Sequence, residues 1–210
     1  MLEPASREGA WQESSRFHPL PVRSENYEVP FMGEAKHNRK QIRARMLSEL
    51  ERWMVPESEA EARLNDEIRA MTFYSISRQP DHVLDYMRMK PQQCHHNAAS
   101  CARLDPSGES KHVSGWWKRG GIFFFHSVIL SQTKLHCITP HHDNAKLEFA
   151  PDFDIIWHEK NGVMTSESKG QDVPYLVRDY PEAIIKAATE ARDALLAGAD
   201  PRSIKLPLSP

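Results

Sequence analysis

The stretch HVSGWWKRGGIFFFHSVILSQTKLHCITP, beginning at His112, constrains the fold most. It carries runs of β-branched and aromatic residues, broken by Gly120-Gly121 and by the polar SQTK. Such residues fit a pleated, half-buried surface, so the pattern predicts strands near 112–118, 121–130 and 134–139. The last two are expected to join as a hairpin through Ser131 to Thr133. Further on, KLEFAPDFDIIWHEKNGVMTSESKG predicts another hairpin, turning at Asn161-Gly162, a strong turn dipeptide.

Helical patterns flank this β-rich centre. HNRKQIRARMLSELERWMV has Ile42, Met46, Leu50 and Trp53 at helical spacing, and Pro56 stops it. A second helix is expected over SEAEARLNDEIRAMTFYSI, with Leu64, Ile68 and Met71 as its apolar stripe. Near the C-terminus, YPEAIIKAATEARDALLAGA places Ile184, Ala188, Ala191 and Leu195 on one stripe, and Gly198 ends it. The order predicts an α+β fold: N-terminal helices, a helix carrying Cys94 packed on an antiparallel β-sheet, then a C-terminal helix. Residues 1–36, rich in Pro, Ser, Glu and Arg, read as a flexible arm, leaving 37–210 as one α+β domain.

Composition narrows the function classes. A formal charge of −2 announces neither a nucleic acid nor an acidic membrane as partner. No apolar run approaches the ~20 residues that span a bilayer, and MLEPASREGAWQESS lacks a secretion-signal pattern. Three cysteines fit reduced thiols better than a disulfide framework, so a cytoplasmic location is expected. The eleven histidines are the one unusual count, and most of them fall between His95 and His158.

Chemistry concentrates in MRMKPQQCHHNAASCARL. A helix beginning at Cys94 follows Pro91, and DPSG at 105–108 breaks it. A thiol at a helix N-terminus meets backbone N–H groups and the positive end of the dipole, both of which favour thiolate. Its base would be His126, a lone imidazole in an apolar strand, where it needs a partner. A core histidine bonded to a backbone carbonyl explains the same residue, and both readings stay open.

The sequence CHHNA, then SGWW, FFHSVI, LHCITP and LEFAPD, resembles small bacterial and phage proteins sharing a plan of C-H-x-N, G-W, H-S-V and D-I-T-P. These resemble the papain-like and transglutaminase-like cysteine enzymes. The resemblance covers roughly residues 90–155. It implies Cys94 as nucleophile, His126 as base, and Gln93 or the Cys94 backbone N–H as an oxyanion donor. Asn97 is expected to fix local structure. The orienting position falls on Cys137, where the plan has Asp, and Asp143 or Asp152 would have to substitute for it. The implied activity is hydrolysis of, or transfer from, a peptide, amide or small-molecule acyl group, with no cofactor.

Other readings remain. Cys94, His95, Cys101, His136, Cys137, His141 and His142 supply zinc-type ligands, but at poor spacings, and no metal is expected. Asp152, followed fifteen residues later by Glu167 and then Lys169, matches the P-D…(D/E)-x-K pattern of Mg²⁺-dependent nucleases, with nucleic acid as partner under that reading alone. A non-catalytic interaction module is the third alternative. The cluster Arg39, Lys40, Arg43 and Arg45 reads as a solvated helix face. Trp116 and Trp117 read as one core and one surface side chain.

Overall fold

The structure is a computed structural model, and it describes residues 32–141, 146–160 and 163–204. The chain divides into two compact units, residues 1–38 and 39–210. In the first, only 32–38, the opening turns of α1, are described. The sheets and the remaining helices all belong to the second. The expected turn at Asn161-Gly162, and His142 and Asp143, lie outside the described residues.

Among the described residues, four further α-helices follow α1 (Met32–Trp53): α2 (Glu59–Arg69), α3 (Asp81–Tyr86), α4 (Cys94–Leu104) and α5 (Pro181–Leu196). The strands are β1 (Tyr74–Arg78), β2 (Lys111–Arg119), β3 (Ile122–Ser131), β4 (Lys134–Cys137), β5 (Leu147–Pro151), β6 (Ile155–Lys160), β7 (Val163–Ser168), β8 (Gln171–Asp172) and β9 (Leu176–Arg178). The fold is α+β. The second helix stops at Arg69, short of its expected end, because Tyr74 to Arg78 is strand. There Ile76 points into the β core while Tyr74 and Ser75 stay exposed. That short alternating segment is hidden behind a strong helical stripe in the sequence.

The larger sheet runs β2-β5-β1-β4-β3-β9, and an additional β2–β3 pairing closes the first five strands into a ring. β1 and β4 are parallel; the other pairs are antiparallel, so the sheet is mixed where an antiparallel one was expected. β2 and β3 form a long hairpin that turns at Gly120-Gly121, whose φ values of 57° and 80° suit a tight two-residue turn. The β3–β4 hairpin expected at Ser131 to Thr133 is present, with Ser131 opposite Lys134. β6, β7 and β8 make a separate three-stranded sheet.

Alternation along the strands splits the apolar residues between two cores. Inside the ring pack Ile76, Val113, Val128, Cys137, Leu147 and Phe149, with Trp117, Leu130 and Leu135 against them. On the outer face, Trp116, Phe123, Phe125 and Val177 pack on Ile68 of α2, while Ile129 and Ile138 pack on Ala98 of α4 and Leu84 of α3. Trp116 is fully buried under α2 outside the ring, and Trp117 is half-buried on the inside. The stripe of α5 packs on Leu50 of α1 through Ala188, Ala191 and Leu195.

Two features hold strand and helix layers in register. Gly115 faces into the ring opposite His126, and a Cβ there would lie 2.1 Å from the Ala150 carbonyl oxygen. Only glycine allows β2 and β5 to approach so closely. Arg178 of β9 is buried and grips Glu61 of α2 with Nε and Nη2, at 2.7 and 2.6 Å. Its Nη1 donates to the carbonyls of Trp53 and Val55, tying the end of α1 to the sheet. In the basic cluster, Arg43 donates to the Ala199 carbonyl at 2.9 Å and Arg39 pairs with Asp200 at 3.8 Å.

Candidate functional site

α4 begins at Cys94, as the sequence predicts. Gln93 occupies the cap position, but its side chain makes no capping hydrogen bond. The helix is anchored instead by Asn97, which is buried and donates to the Lys90 carbonyl at 2.8 Å and to Thr139 Oγ1 at 3.2 Å. The Lys90 N–H donates back to Asn97 Oδ1 at 3.1 Å. One amide thus joins the C-H-x-N turn to the ITP segment after β4.

The edge of β3 explains where the sulfur sits. In an antiparallel pair, successive residues point their N–H groups alternately toward and away from the partner. Phe125 N–H faces away from β2 and reaches the Tyr175 carbonyl at 2.9 Å. Two residues on, Ser127 N–H points the same way. Pairing with β9 ends at Phe124 and pairing with β4 starts at Ile129, so this N–H opens on a gap between them. Cys94 opens α4, which packs on β3 here, and the backbone N–H groups of Ser127, His95 and Cys94 itself act to lower its thiol. These favour thiolate, as the helix-start argument requires. Burial opposes them and is the larger effect, so the Cys94 thiol is pushed up from its ordinary value rather than down.

His126 is buried and points into the ring, beside Trp117 (5.4 Å between ring centroids) and Phe149 (6.3 Å). Its Nε2 lies 3.3 Å from Cys137 Sγ. The imidazole thus contacts the position that the family plan assigns to the orienting group, occupied here by a thiol. Cys137 Sγ also lies 3.7 Å from His141 Nε2 and 3.9 Å from the Thr139 carbonyl. Burial holds His126 down to about 3 and pushes the Cys137 thiol up to about 11, so both are neutral near pH 7. Among the described residues, no hydrogen bond joins Cys94 to His126.

Gln93 lines a cavity of about 740 Å³ with Met87, Met89, Asn97, Cys101 and Leu104, along the flank of α4. Asp152 stands away from His126: Oδ2 accepts from Trp116 Nε1 at 3.3 Å and Oδ1 from the Asp154 N–H at 3.1 Å. It shares a cleft of about 250 Å³ with Lys169, Glu67, Ser168 and Asp172. Lys169 Nζ pairs with Glu67 at 2.7 Å, a contact from α2 that the motif did not suggest. Glu167 does not line the cleft; it lies 3.8 Å from His158 Nε2. Among the described residues, no three His, Cys, Asp or Glu side chains are placed to hold a metal ion, and no helix is long and apolar enough to cross a membrane.

Sequence reasoning passed over a second polar cluster. Ser127 Oγ lies 2.7 Å from His95 Nδ1, 2.8 Å from His112 Nε2 and 3.1 Å from Ser114 Oγ. The signal for it was present: His112, Ser114 and Ser127 fall on the outward-facing alternation of β2 and β3, among Trp116, Phe125 and Ile129. Compared with known proteins, the chain matches no family model, no curated protein and no solved structure.

Proposed function

We propose that the protein is a cysteine-dependent hydrolase or acyl transferase in which Cys94 is the nucleophile and His126 the base. One observation carries the reading. Cys94 opens α4 and its neighbour His95 bonds Ser127, the residue after His126, at 2.7 Å, while Nε2 of His126 is engaged by Cys137. With Nε2 on Cys137, Nδ1 is the nitrogen that takes the sulfur's proton. Because burial keeps both partners neutral, the proton moves during attack and not before it.

The Cys94 sulfur adds to the carbonyl carbon as its proton passes to His126. The Cys94 N–H and the Gln93 amide stabilise the oxyanion. The intermediate collapses to a thioester, His126 returns the proton to the leaving group, and water or an acceptor nucleophile releases the acyl group. The substrate is an amide, peptide or small acyl compound, no cofactor takes part, and three free cysteines fit a reducing compartment such as the cytoplasm. The test is burst release of p-nitrophenol from p-nitrophenyl acetate, with the acetyl group located by peptide mass. Acetylation of Cys94 that disappears in Cys94→Ser and His126→Ala supports the reading. Turnover unchanged in Cys94→Ser overturns it.

A second reading rests on Asp152 and Lys169 sharing one cleft with Glu67. Under it, the protein is a Mg²⁺-dependent nuclease in which Glu67 takes the place that the motif gives to Glu167. Metal-dependent nicking of plasmid DNA that is lost in Lys169→Ala and kept in Cys94→Ser would favour it.

A further inference from the structure

The His of C-H-x-N and the Ser of H-S-V have no part in the proposed acyl transfer, yet they meet at 2.7 Å. Ser127 is fully buried, and its hydroxyl faces three polar groups, while Trp157 Nε1 donates to Ser114 Oγ at 2.9 Å. Burial keeps His95 and His112 neutral, so each ring has one N–H to place. Two orders of donation satisfy the set: Trp157 donates to Ser114 and Ser114 to Ser127 in both, while Ser127 donates to one of the two rings, His95 Nδ1 or His112 Nε2, and accepts from the other. The His95 ring is also packed between Phe125 (4.3 Å between centroids) and Trp157 (5.0 Å). The residue immediately after Cys94 is therefore fixed in position by one hydrogen bond and two aromatic neighbours.

We propose that His95 and Ser127 are positioning residues for Cys94: their hydrogen bond pins the first turn of α4 to β3, so that the sulfur stays beside Ser127, one residue from His126. His112, Ser114 and Trp157 brace Ser127 from behind. The proposal rests on the reading of Cys94 as nucleophile, so its test has one readout that needs no turnover.

In the full-length protein, His95→Leu and Ser127→Ala are compared with His95→Asn, whose amide replaces Nδ1 as hydrogen-bond partner of Ser127 in either direction. Hydrolysis of p-nitrophenyl acetate gives kcat and KM, and the iodoacetamide rate at Cys94 is read separately by peptide mass. The first two variants are expected to lose about tenfold or more in kcat with KM little changed, since small displacements of a nucleophile are costly. His95→Asn is expected to recover most of that loss. Native kcat in folded His95→Leu and Ser127→Ala overturns the proposal, as does a His95→Asn variant no better than His95→Leu. If His95→Leu does not fold, Ser127→Ala decides, because it removes one oxygen atom. If Cys94→Ser hydrolyses the ester normally, the functional reading fails and the iodoacetamide rate decides. A Cys94 rate shifted about tenfold in Ser127→Ala then keeps the positioning role, and an unchanged rate ends it.

Discussion

Nε2 of His126 and Sγ of Cys137 meet at 3.3 Å inside the closed ring of strands. A thiol there orients the imidazole but supplies no negative charge to stabilise imidazolium. A carboxylate would do both. Cys137→Asp is therefore expected to raise the p-nitrophenyl acetate burst by about tenfold or more, given what loss of an orienting carboxylate costs elsewhere. The same substitution should lower the melting temperature, since a carboxylate enters an apolar interior. Burst amplitude and rate, read beside a thermal melt, check both.

Thiol reactivity should follow burial rather than helix placement. Cys94, Cys101 and Cys137 are each pushed up by desolvation, Cys137 to about 11. Thiolate accumulates only as pH rises, so iodoacetamide labelling should be slow at mildly acidic pH and accelerate above about pH 8. Cys137, fully buried, should label last. Peptide mass mapping of labelling rates from about pH 6 to 10 tests the order.

Acid should destabilise the fold before its carboxylates titrate. His126 is held down to about 3 and His95 to about 4, against about 6.5 in the unfolded chain. A depressed histidine means that the unfolded state binds the proton first. Stability is then full above about pH 6.5 and falls as pH drops towards about 4. Each buried imidazole adds a slope of about 1.4 kcal/mol per pH unit inside its window. Urea midpoints between about pH 7 and 4.5 should show the decline, and His126→Met should flatten it.

Gly115→Ala should separate β2 from β5. The new methyl would lie 2.1 Å from the Ala150 oxygen and 2.9 Å from Pro151 Cα, both backbone atoms that cannot rotate away. A loss of about 3 kcal/mol in unfolding free energy is expected, measured by urea denaturation.

Arg178→Met removes a donor that the Glu61 carboxylate and two backbone carbonyls share. Glu61 is held below its usual carboxylate range chiefly by its hydrogen bond to Arg178. Without that partner, Glu61 and the carbonyls of Trp53 and Val55 lose their donor. A loss of about 3–5 kcal/mol is expected, read from urea denaturation. Replacing Glu61 with Leu in the same chain should recover part of it, because no carboxylate is then left unpaired.

Much of the local structure is legible in the residues themselves. Pro91 before Cys94 and the turn after Leu104 bound α4, and Gly120-Gly121 and Ser131 to Thr133 bound the two hairpins of the ring. Ile184, Ala188, Ala191 and Leu195 mark the buried side of α5. These are short-range consequences of propensity, period and turn chemistry. β1 escaped, because its pairing partners β4 and β5 lie far along the chain and a helical stripe runs up to it.

The sequence by itself determined the long helices, the hairpins of the ring and the thiol that opens the central helix. Only the tertiary structure decided that the ring closes, that His126 turns inward to Cys137, and that Ser127 faces His95 on the other side of the same strand. It also decided that burial outweighs the helix start in setting the Cys94 thiol. Period and propensity act over a few residues, whereas desolvation and strand closure depend on every element that comes to lie against a side chain.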